Sequence, residues 1–250
     1  MRKSEKAGSR TRKTPRSARR RKQNHEIEVK LHIPDRLALL ARLDELGAIC
    51  EGRVHEMNTI YDTRERSLMR KGQLLRIRIE RQADRPGADA PNTSQKLEGA
   101  LLTFKGPVRR SDSRAARGGR KYKVRQEREV RAADGEQLAI ILEALGLIPR
   151  FRYEKYRSTY RLLDVENLAL ELDETPVGDF LEAEGARESI DRAATLLGYR
   201  PSDYVTKTYW DLFQERRNSG QAKSAKRKRL PNSGPRDMLF PRRDDEVKRQ

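Results

Sequence analysis

The stretch EIEVKL, residues 26–31 of this 250-residue chain, shows a pattern that recurs along much of the sequence. Glu26, Glu28 and Lys30 alternate with apolar residues, and successive side chains of a β-strand point to opposite faces of a sheet. The stretch therefore predicts a strand with one charged face and one apolar face. Taken alone, it fits an edge strand whose polar face lies in water.

The same alternation recurs further along the chain. Its charged and polar positions are Arg76, Arg78, Thr103, Lys105, Arg125, Glu127, Glu129, Lys155, Arg157, Glu171, Asp173, Glu182 and Glu184. These stretches and the segments around them predict eight strands, over 26–33, 49–62, 73–81, 99–106, 121–131, 151–163, 167–173 and 179–184. Helical spacing predicts helices over 36–46, 135–145, 188–197 and 203–215. Turn-forming and charged composition predicts loops over 82–98 and 109–120.

The helices decide which way the charged faces point. Those over 36–46 and 135–145 each have an apolar side that needs a partner, and the apolar faces of the strands are the available surface. A solvated outer face explains the charges too, but it would contain more Ser, Thr, Gln and Asn. The sequence therefore predicts an α+β protein, a mostly antiparallel barrel or sandwich, whose charged faces surround a lumen beneath the helices.

A lumen lined by both signs of charge is expected to hold a ligand, because unpaired buried charge is unfavourable. Arg and Lys side chains suit phosphate oxygens, and the basic candidates are Lys30, Arg76, Arg78, Lys105, Lys155 and Arg157. Carboxylates suit Mg²⁺ or Mn²⁺, and the acidic candidates are Glu26, Glu28, Glu127, Glu129, Asp173, Glu182 and Glu184. Together they indicate a metal-bridged oligophosphate, as in phosphoryl or nucleotidyl transfer.

The formal charge of +18 lies at the two ends of the chain. Residues 1–24 contain 11 Lys and Arg against one acidic residue, residues 216–250 contain 12 against four, and residues 25–215 contain 33 of each sign. We therefore predict a neutral domain over 25–215 between two basic disordered tails. Such tails suit nonspecific contact with nucleic acid or another polyanion. The alternative function is an RNA- or polyanion-associated binding protein that acts through the tails.

Composition excludes several classes of protein. Cys50 is the single cysteine, which excludes an intramolecular disulfide and a cysteine-based metal site. His25, His32 and His55 lack the spacing of a histidine metal motif. A mean hydropathy of −0.97 and the lack of a long apolar run argue against a membrane-spanning helix and a signal peptide. We expect a cytoplasmic location.

Six motifs, in order along the chain, resemble the CYTH domain of the triphosphate tunnel metalloenzyme superfamily. The first is ExExK at 26–30. The others are LRIR at 75–78, TFKGP at 103–107, RxExE at 125–129, EKYR at 154–157, and LD at 172–173 followed by GDFLEAEG at 178–185. The set spans residues 26–184, and 204–212 is similar to the terminal helix of the family.

The resemblance implies an eight-stranded antiparallel β-barrel, the triphosphate tunnel, with helices packed outside. It implies Mg²⁺ or Mn²⁺ held by Glu26, Glu28, Asp173, Glu182 and Glu184, with Glu127 and Glu129 next. It implies that the triphosphate is bound by Lys30, Arg76, Arg78, Lys105, Arg125, Lys155 and Arg157. The catalytic residues implied are Glu26, Glu28 and Lys30, and Lys207 is a candidate for closing one mouth of the tunnel.

Residues 104–107 and 155–160 are most similar to the class IV adenylate cyclase branch of a family that also includes thiamine triphosphatases and inorganic triphosphatases. The branch does not fix the activity, because one lumen can direct either of two nucleophiles. Water attacking the terminal phosphorus releases orthophosphate, whereas a ribose hydroxyl attacking the innermost one gives cyclic AMP and pyrophosphate. ATP, thiamine triphosphate and tripolyphosphate are therefore the expected substrates, and cyclase and triphosphatase both stay open.

Overall fold

The computed structural model describes residues 25–83, 99–108, 122–205, 207–222 and 236–240. Its eight principal strands are β1 (His25–Ile33), β2 (Ile49–Asp62), β3 (Leu74–Gln82), β4 (Ala100–Lys105), β5 (Lys123–Ala132), β6 (Ile148–Arg161), β7 (Leu168–Thr175) and β8 (Gly178–Gly185). Each of them overlaps a predicted strand. The predicted tail over 1–24, the predicted loop over 109–120 and most of the loop over 82–98 lie outside the described residues.

The eight strands close into one antiparallel barrel. Around the barrel their order is β6-β2-β3-β4-β5-β1-β8-β7, and β7 pairs again with β6. In register, Lys30 lies opposite Glu182 and Arg157 lies opposite Asp173. Because side chains alternate along each strand, these charged residues share the inner face. The predicted α+β class and the eight-stranded antiparallel barrel are confirmed.

Helices begin and end at residues that the sequence marks. They are α1 (Arg36–Glu45), α2 (Ser67–Arg70), α3 (Gly135–Ala144), α4 (Arg187–Leu196) and α5 (Tyr209–Ala222). The Asp35 carboxylate accepts a hydrogen bond from the backbone N–H of Ala38 over 3.0 Å and caps α1. Gly47, with a φ of 65°, follows α1 in the left-handed conformation that ends many helices.

Three of these helices cover the apolar outer face of the barrel. Leu39 and Leu43 of α1 and Ile190 of α4 are buried in one cluster with Val29 and Leu31 of β1. α3 covers a second apolar cluster, on β3 and β4, in the same way. Burial of each Leu or Ile side chain contributes about 1.5–3 kcal/mol. The apolar faces therefore point outward to the helices, and the charged faces are left to the lumen, as predicted.

The predicted helix over 203–215 is wrong at its beginning. Pro201–Asp203 form one turn of 3₁₀ helix, Tyr204–Val205 form strand β9, and α5 begins only at Tyr209. β9 pairs with the second half of β1, beyond the point where β5 stops pairing with it. Residues 204–205 therefore form hydrogen bonds with the free backbone groups of β1, although their spacing is that of a helix.

Two segments within 216–250 contact the barrel. α5 continues through Ala222, and Arg236–Met238 form strand β10, which runs parallel to β6. Met238 is 2% exposed and packs in a cluster with Phe151, Tyr153, Phe180 and Tyr209. α5 and β10 thus close the end of the barrel at which β6 and β8 begin. A cavity of about 270 Å³ lies outside the lumen, between α5 and β10.

Candidate active site

The lumen brings together the charged residues that the sequence predicts. Those that are buried are Glu26, Lys30, Arg76, Arg125, Lys155, Arg157 and Asp173. Those that are partly buried are Glu28, Arg78, Lys105, Glu127, Glu182 and Glu184. Glu129 lies at the rim, with 41% of its side chain exposed. Groups of opposite sign contact each other across strands, so most of the charges in the lumen are paired.

Asp173 lies at the closed end and is completely buried. Lys155 Nζ donates to it over 2.7 Å, and Nε and one terminal nitrogen of Arg157 donate over 2.7 Å each. The Tyr209 hydroxyl donates a fourth hydrogen bond, over 2.6 Å. These four hydrogen bonds engage both carboxylate oxygens. Asp173 is predicted as a metal ligand, but its hydrogen bonds favour a different role, in which it orients Lys155 and Arg157.

Glu56, on β2, is a second completely buried carboxylate. Its oxygens lie 3.0 Å from Arg78, 3.4 Å from Lys155 and 3.6 Å from Arg157. Burial raises the pKa of Glu56, but Arg78, Lys155 and Arg157 outweigh burial and hold that pKa well below its usual range. Glu56 is therefore a permanent anion beneath three of the predicted phosphate-binding cations.

Glu182 joins the same network from β8. Lys30 Nζ lies 2.5 Å from it, and Arg157 contacts both Glu182 and Glu171. Burial raises the pKa of Glu182, but Lys30, Lys155 and Arg157 outweigh it and keep that pKa well below the usual range. Arg157 thus contacts carboxylates on three strands and stands at the centre of the network.

Glu26 and Glu127 share Lys105 on the other side of the lumen. Lys105 Nζ lies 2.6 and 2.8 Å from the two oxygens of Glu26 and 3.3 Å from Glu127. Burial raises the pKa of Glu26, Lys105 opposes the shift, and the neighbouring carboxylates of Glu28 and Glu127 reinforce burial. Burial also raises the pKa of Glu127, but its hydrogen bond with Glu26 and the charge of Lys105 outweigh burial, so the pKa of Glu127 is lowered.

Glu28 stays ionised through its basic neighbours. Lys123 Nζ lies 3.2 Å from Glu28. Burial and the charge of Glu182 raise the pKa of Glu28, but Lys123, Lys30 and Lys105 outweigh both and lower it to about 2. A carboxylate in this state is a ready ligand for a divalent cation.

Glu184 differs from the other carboxylates of the lumen because it has no hydrogen-bond or ion-pair partner in the described part of the chain. Burial raises its pKa to about 7, and the neighbouring charges of Glu171, Glu127 and Glu28 add to the shift. Its negative charge is therefore incompletely balanced at neutral pH.

Arg76 and Arg125 make different contacts, although both are predicted to bind phosphate. Arg76 donates to the Thr103 hydroxyl over 3.2 Å, and that hydroxyl donates to Glu129 over 2.7 Å. Arg125 donates to the backbone carbonyls of Gly106 and Gly72 over 2.8 and 3.1 Å. Arg125 therefore joins the segment after β4 to the segment before β3, and this part of its guanidinium is already engaged.

A ready-made metal cluster of three or more Asp, Glu, His or Cys side chains is absent from the described ranges. Apart from Glu184, the carboxylates of the lumen are instead engaged mainly by Lys and Arg. The donor set nevertheless fits a hard divalent cation, because Glu28 and Glu184 lie opposite each other on β1 and β8 and Glu182 shares their face. The unbalanced charge of Glu184 is the observation that a divalent cation would satisfy.

Several lumen residues escape the sequence analysis as site residues. They are Glu56, Lys123, Glu171 and Tyr209. Lys123 and Glu171 continue the period-two pattern of Arg125 and Asp173, which is a usable signal. Tyr209 has no such signal, because α5 carries it into the lumen from outside the barrel. Lys207 pairs with Glu215 at the surface, and only its backbone carbonyl reaches the lumen, where it accepts from Lys123 over 3.2 Å.

The chain thus forms a closed antiparallel barrel in whose lumen Lys and Arg pair with carboxylates. A model of the CYTH domain family matches residues 24–209, most of the chain. The protein therefore belongs to the CYTH domain family, whose members bind triphosphate substrates, process them as enzymes and generally use divalent metals. The resemblance predicted from sequence is confirmed.

Solved structures share the fold. The chain is similar to a protein of Pyrococcus horikoshii OT3 with 21% identity and a TM-score of 0.58, over 76% of this chain and 99% of that one. It is similar to a candidate adenylate cyclase of Vibrio parahaemolyticus, with 18% identity and a TM-score of 0.56, over 76% and 97%. It is also similar to a candidate adenylyl cyclase from Hippeastrum, described as having a dominant triphosphatase activity. The identity is 19% and the TM-score 0.52, over 76% of this chain and 96% of that one.

These identities show the fold alone. A search of curated proteins gives no match for the chain. Each helix in the described part of the chain is too short or too polar to cross a lipid bilayer.

Proposed function

We propose that the protein is a divalent-metal-dependent enzyme that acts on a triphosphate inside the barrel, as a triphosphatase or as a class IV-type adenylate cyclase. The observation that carries this proposal is the convergence of buried cations from several strands on one carboxylate-lined lumen. The phosphate-binding candidates are Lys30, Arg76, Arg78, Lys105, Lys155 and Arg157, with Arg125 beside them. A polyphosphate satisfies such a set of cations, because Arg binds phosphate oxygens in a bidentate manner and Lys does so as a point charge.

The metal would be Mg²⁺ or Mn²⁺, held by Glu26, Glu28, Glu182 and Glu184, with Glu127 and Glu129 nearby. When bound, it would neutralise phosphate charge and align the triphosphate. The lowered pKa of Glu28 supports its assignment as a ligand, and Glu184 would act as a ligand once it loses its proton. Asp173 is engaged by Lys155, Arg157 and Tyr209, so we assign it to positioning.

The residues of the chain do the rest by charge and position. Glu26, Glu28 and Lys30 form the proposed catalytic set, with Lys30 neutralising the negative charge that builds up on the phosphoryl group. In hydrolysis, a water oxygen bonds to the terminal phosphorus and releases a proton to solvent, the bridging P–O bond breaks, and the diphosphate leaves with that electron pair. In cyclisation, a ribose hydroxyl oxygen bonds to the innermost phosphorus and releases its proton to solvent, the P–O bond from that phosphorus to the bridging oxygen breaks, and pyrophosphate leaves with that electron pair.

The experiment is incubation of the purified protein with ATP, thiamine triphosphate and tripolyphosphate, each with Mg²⁺ or Mn²⁺ and each repeated with EDTA. Orthophosphate, pyrophosphate and cyclic AMP are measured separately. Orthophosphate without cyclic AMP identifies a triphosphatase, and cyclic AMP with an equal amount of pyrophosphate identifies a cyclase. The absence of every product with both metals contradicts the proposal.

A second candidate function is binding of RNA or another polyanion, and the charge distribution favours it. The excess of positive charge lies in residues 1–24 and 216–250, outside the neutral domain. Binding of this kind weakens steeply with salt, because it depends on released counterions. Titration of a fluorescent RNA at several salt concentrations, with and without residues 1–24, tests it. An affinity that is independent of salt argues against it.

A further inference from the structure

Glu56 is a buried acidic residue of the lumen that the proposed mechanism does not use. It is 0% exposed, and the basic groups that face it come from two neighbouring strands. Arg78 of β3 lies 3.0 Å away, and Lys155 and Arg157 of β6 lie 3.4 and 3.6 Å away. Asn58, two residues on, donates to Glu56 over 3.4 Å and accepts from Arg78 over 3.1 Å. Glu56 is therefore enclosed by groups that stabilise its negative charge.

The cations around Glu56 are three of the proposed phosphate-binding groups. Lys155 and Arg157 also contact Asp173, whereas the other acidic contact of Arg78 is Glu80, at 3.5 Å and nearer the surface. Buried charge without a partner is strongly unfavourable. Glu56 thus supplies, in the ligand-free protein, negative charge of the kind that a polyphosphate supplies in the complex.

We propose that Glu56 is an internal counter-ion that holds Arg78, Lys155 and Arg157 in place and, by competing with phosphate for their charge, sets the affinity of the lumen for polyphosphate. This inference rests on the proposed function and deepens it. Glu56 is a positioning residue in this assignment. It is neither a metal ligand nor a catalytic residue, because cations enclose its oxygens on the described strands.

An opposite effect on stability and on binding follows from this role. Glu56→Gln keeps the shape of the side chain but leaves the three cations short of one negative charge, so the ligand-free protein is destabilised. Bound tripolyphosphate restores the missing charge, so it binds the variant more tightly. A purely structural residue would lower stability without tightening binding.

Calorimetric titration with tripolyphosphate in EDTA, at fixed ionic strength, measures the effect without any turnover. We expect the Kd for tripolyphosphate to fall about tenfold in Glu56→Gln, because one negative charge that repels the phosphate and competes for its cations is lost. Glu56→Asp keeps the charge and is expected to bind like the wild type. Glu51→Gln is the matched control, because Glu51 lies on the same strand and pairs with Arg161 at the surface. Mn²⁺ affinity, titrated separately, is expected to be unchanged in Glu56→Gln.

Unchanged or weaker tripolyphosphate binding by Glu56→Gln overturns the inference, and so does a loss of Mn²⁺ affinity. If Glu56→Gln is unfolded when isolated, its refolding upon addition of tripolyphosphate supports the inference, and failure to refold contradicts it. A wild-type protein that binds no tripolyphosphate in EDTA overturns the inference, whereas the proposed function is decided separately by the product assay with Mg²⁺ or Mn²⁺. A wild type that binds it while Glu56→Gln behaves identically removes only the inference.

Discussion

The Tyr209 hydroxyl donates a hydrogen bond to Asp173 over 2.6 Å, which joins the last helix of the domain to the most deeply buried acidic group of β7. Lys30 Nζ lies 4.4 Å from the centroid of the same ring, and Lys155 Nζ lies 5.4 Å from it. Burial and the charge of Asp173 raise the pKa of Tyr209 well above its usual value, so the hydroxyl keeps its proton. One aromatic residue thus contacts an anion and two cations at the closed end.

Tyr209→Phe removes this hydrogen bond and keeps the ring. We expect the free energy of unfolding to fall by about 2 kcal/mol, because a buried carboxylate loses one of its four donors. Urea denaturation measures the change. Tyr199→Phe is the matched control, since the half-buried Tyr199 hydroxyl has no hydrogen-bond partner among the described residues. Equal losses in the two variants would contradict a specific role for the contact with Asp173.

Glu28→Gln preserves the shape of the side chain and removes an ionised ligand for the metal. We expect metal-dependent turnover to fall about 100-fold or more, with the fold intact, because charge neutralisation by the metal is lost. Product release over a range of Mg²⁺ concentrations, with circular dichroism as the folding check, measures this. The control is Glu45→Gln in an exposed pair with Arg42 on α1. Full activity of Glu28→Gln at low Mg²⁺ would refute the metal assignment.

Arg78→Lys keeps the positive charge but loses the fork that contacts Asn58 and Glu56. We expect KM for the triphosphate to rise about tenfold, more than retention of the charge would suggest, because a guanidinium binds phosphate with two donors at once. Steady-state kinetics measures KM. Arg81→Lys, at an exposed position of the same strand, is expected to leave it unchanged. A KM equal to that of the wild type would show that charge alone matters at position 78.

Glu184 predicts how stability depends on pH. Its pKa is raised from 4.5 to about 7 by burial and by the charge of Glu171. Below pH 4.5 the carboxyl is protonated in both the folded and the unfolded chain, and its effect on stability is absent. Between pH 4.5 and about 7, the carboxyl ionises in the unfolded chain but stays largely protonated in the folded one. The free energy of unfolding therefore falls by about 1–3 kcal/mol over this range.

The measurement is the melting temperature of Glu184→Gln relative to the wild type between pH 4.5 and pH 8. We expect the variant to be the more stable protein at pH 8 and the advantage to vanish at pH 4.5. Addition of Mn²⁺ should stabilise the wild type more at pH 8 than at pH 5, because a protonated carboxyl is a poor ligand. A pH-independent difference would show that Glu184 titrates normally.

Strand β10 predicts where the C-terminal region can be shortened. A chain that ends after Ala222 loses Met238, which is 2% exposed, and uncovers Phe151 and Tyr153. We expect its melting temperature to fall by about 5–10 °C, in line with the loss of one large buried side chain and its neighbours. A chain that ends after Phe240 keeps β10 and is expected to melt like the full protein. Equal melting temperatures would contradict the packing of β10.

The eight barrel strands could be predicted because alternation is a local property of each strand. Helices α1, α3 and α4 carry their own apolar spacing and end signals. β9 and β10 could not be predicted, since they are two and three residues long. They exist because β1 and β6 have backbone groups that their neighbours leave unpaired. Information of that kind appears only once the barrel has closed.

Some residues of the candidate site could likewise be predicted from the sequence, and others could not. Arg76, Arg157 and Glu182 could be predicted, because they belong to stretches in which charged and apolar residues alternate. Glu56 could not, because its outward neighbours on β2 are His55 and Met57 and the period-two contrast is lost. The contacts of each residue are also hidden from the sequence, since partners such as Arg157 and Glu56 are distant along the chain and are brought together by strand order.

Closure of one end by α5 and β10 gives the lumen a direction. In the proposed function, substrate would enter and products would leave by the other end, so a phosphate bound near Asp173 would leave only after one bound near Glu184. The order in which the products leave would then depend on their positions along the lumen. A tightly bound outer product would delay the release of an inner product that is only weakly bound. The part of the substrate that enters last would then be the first part to leave as product.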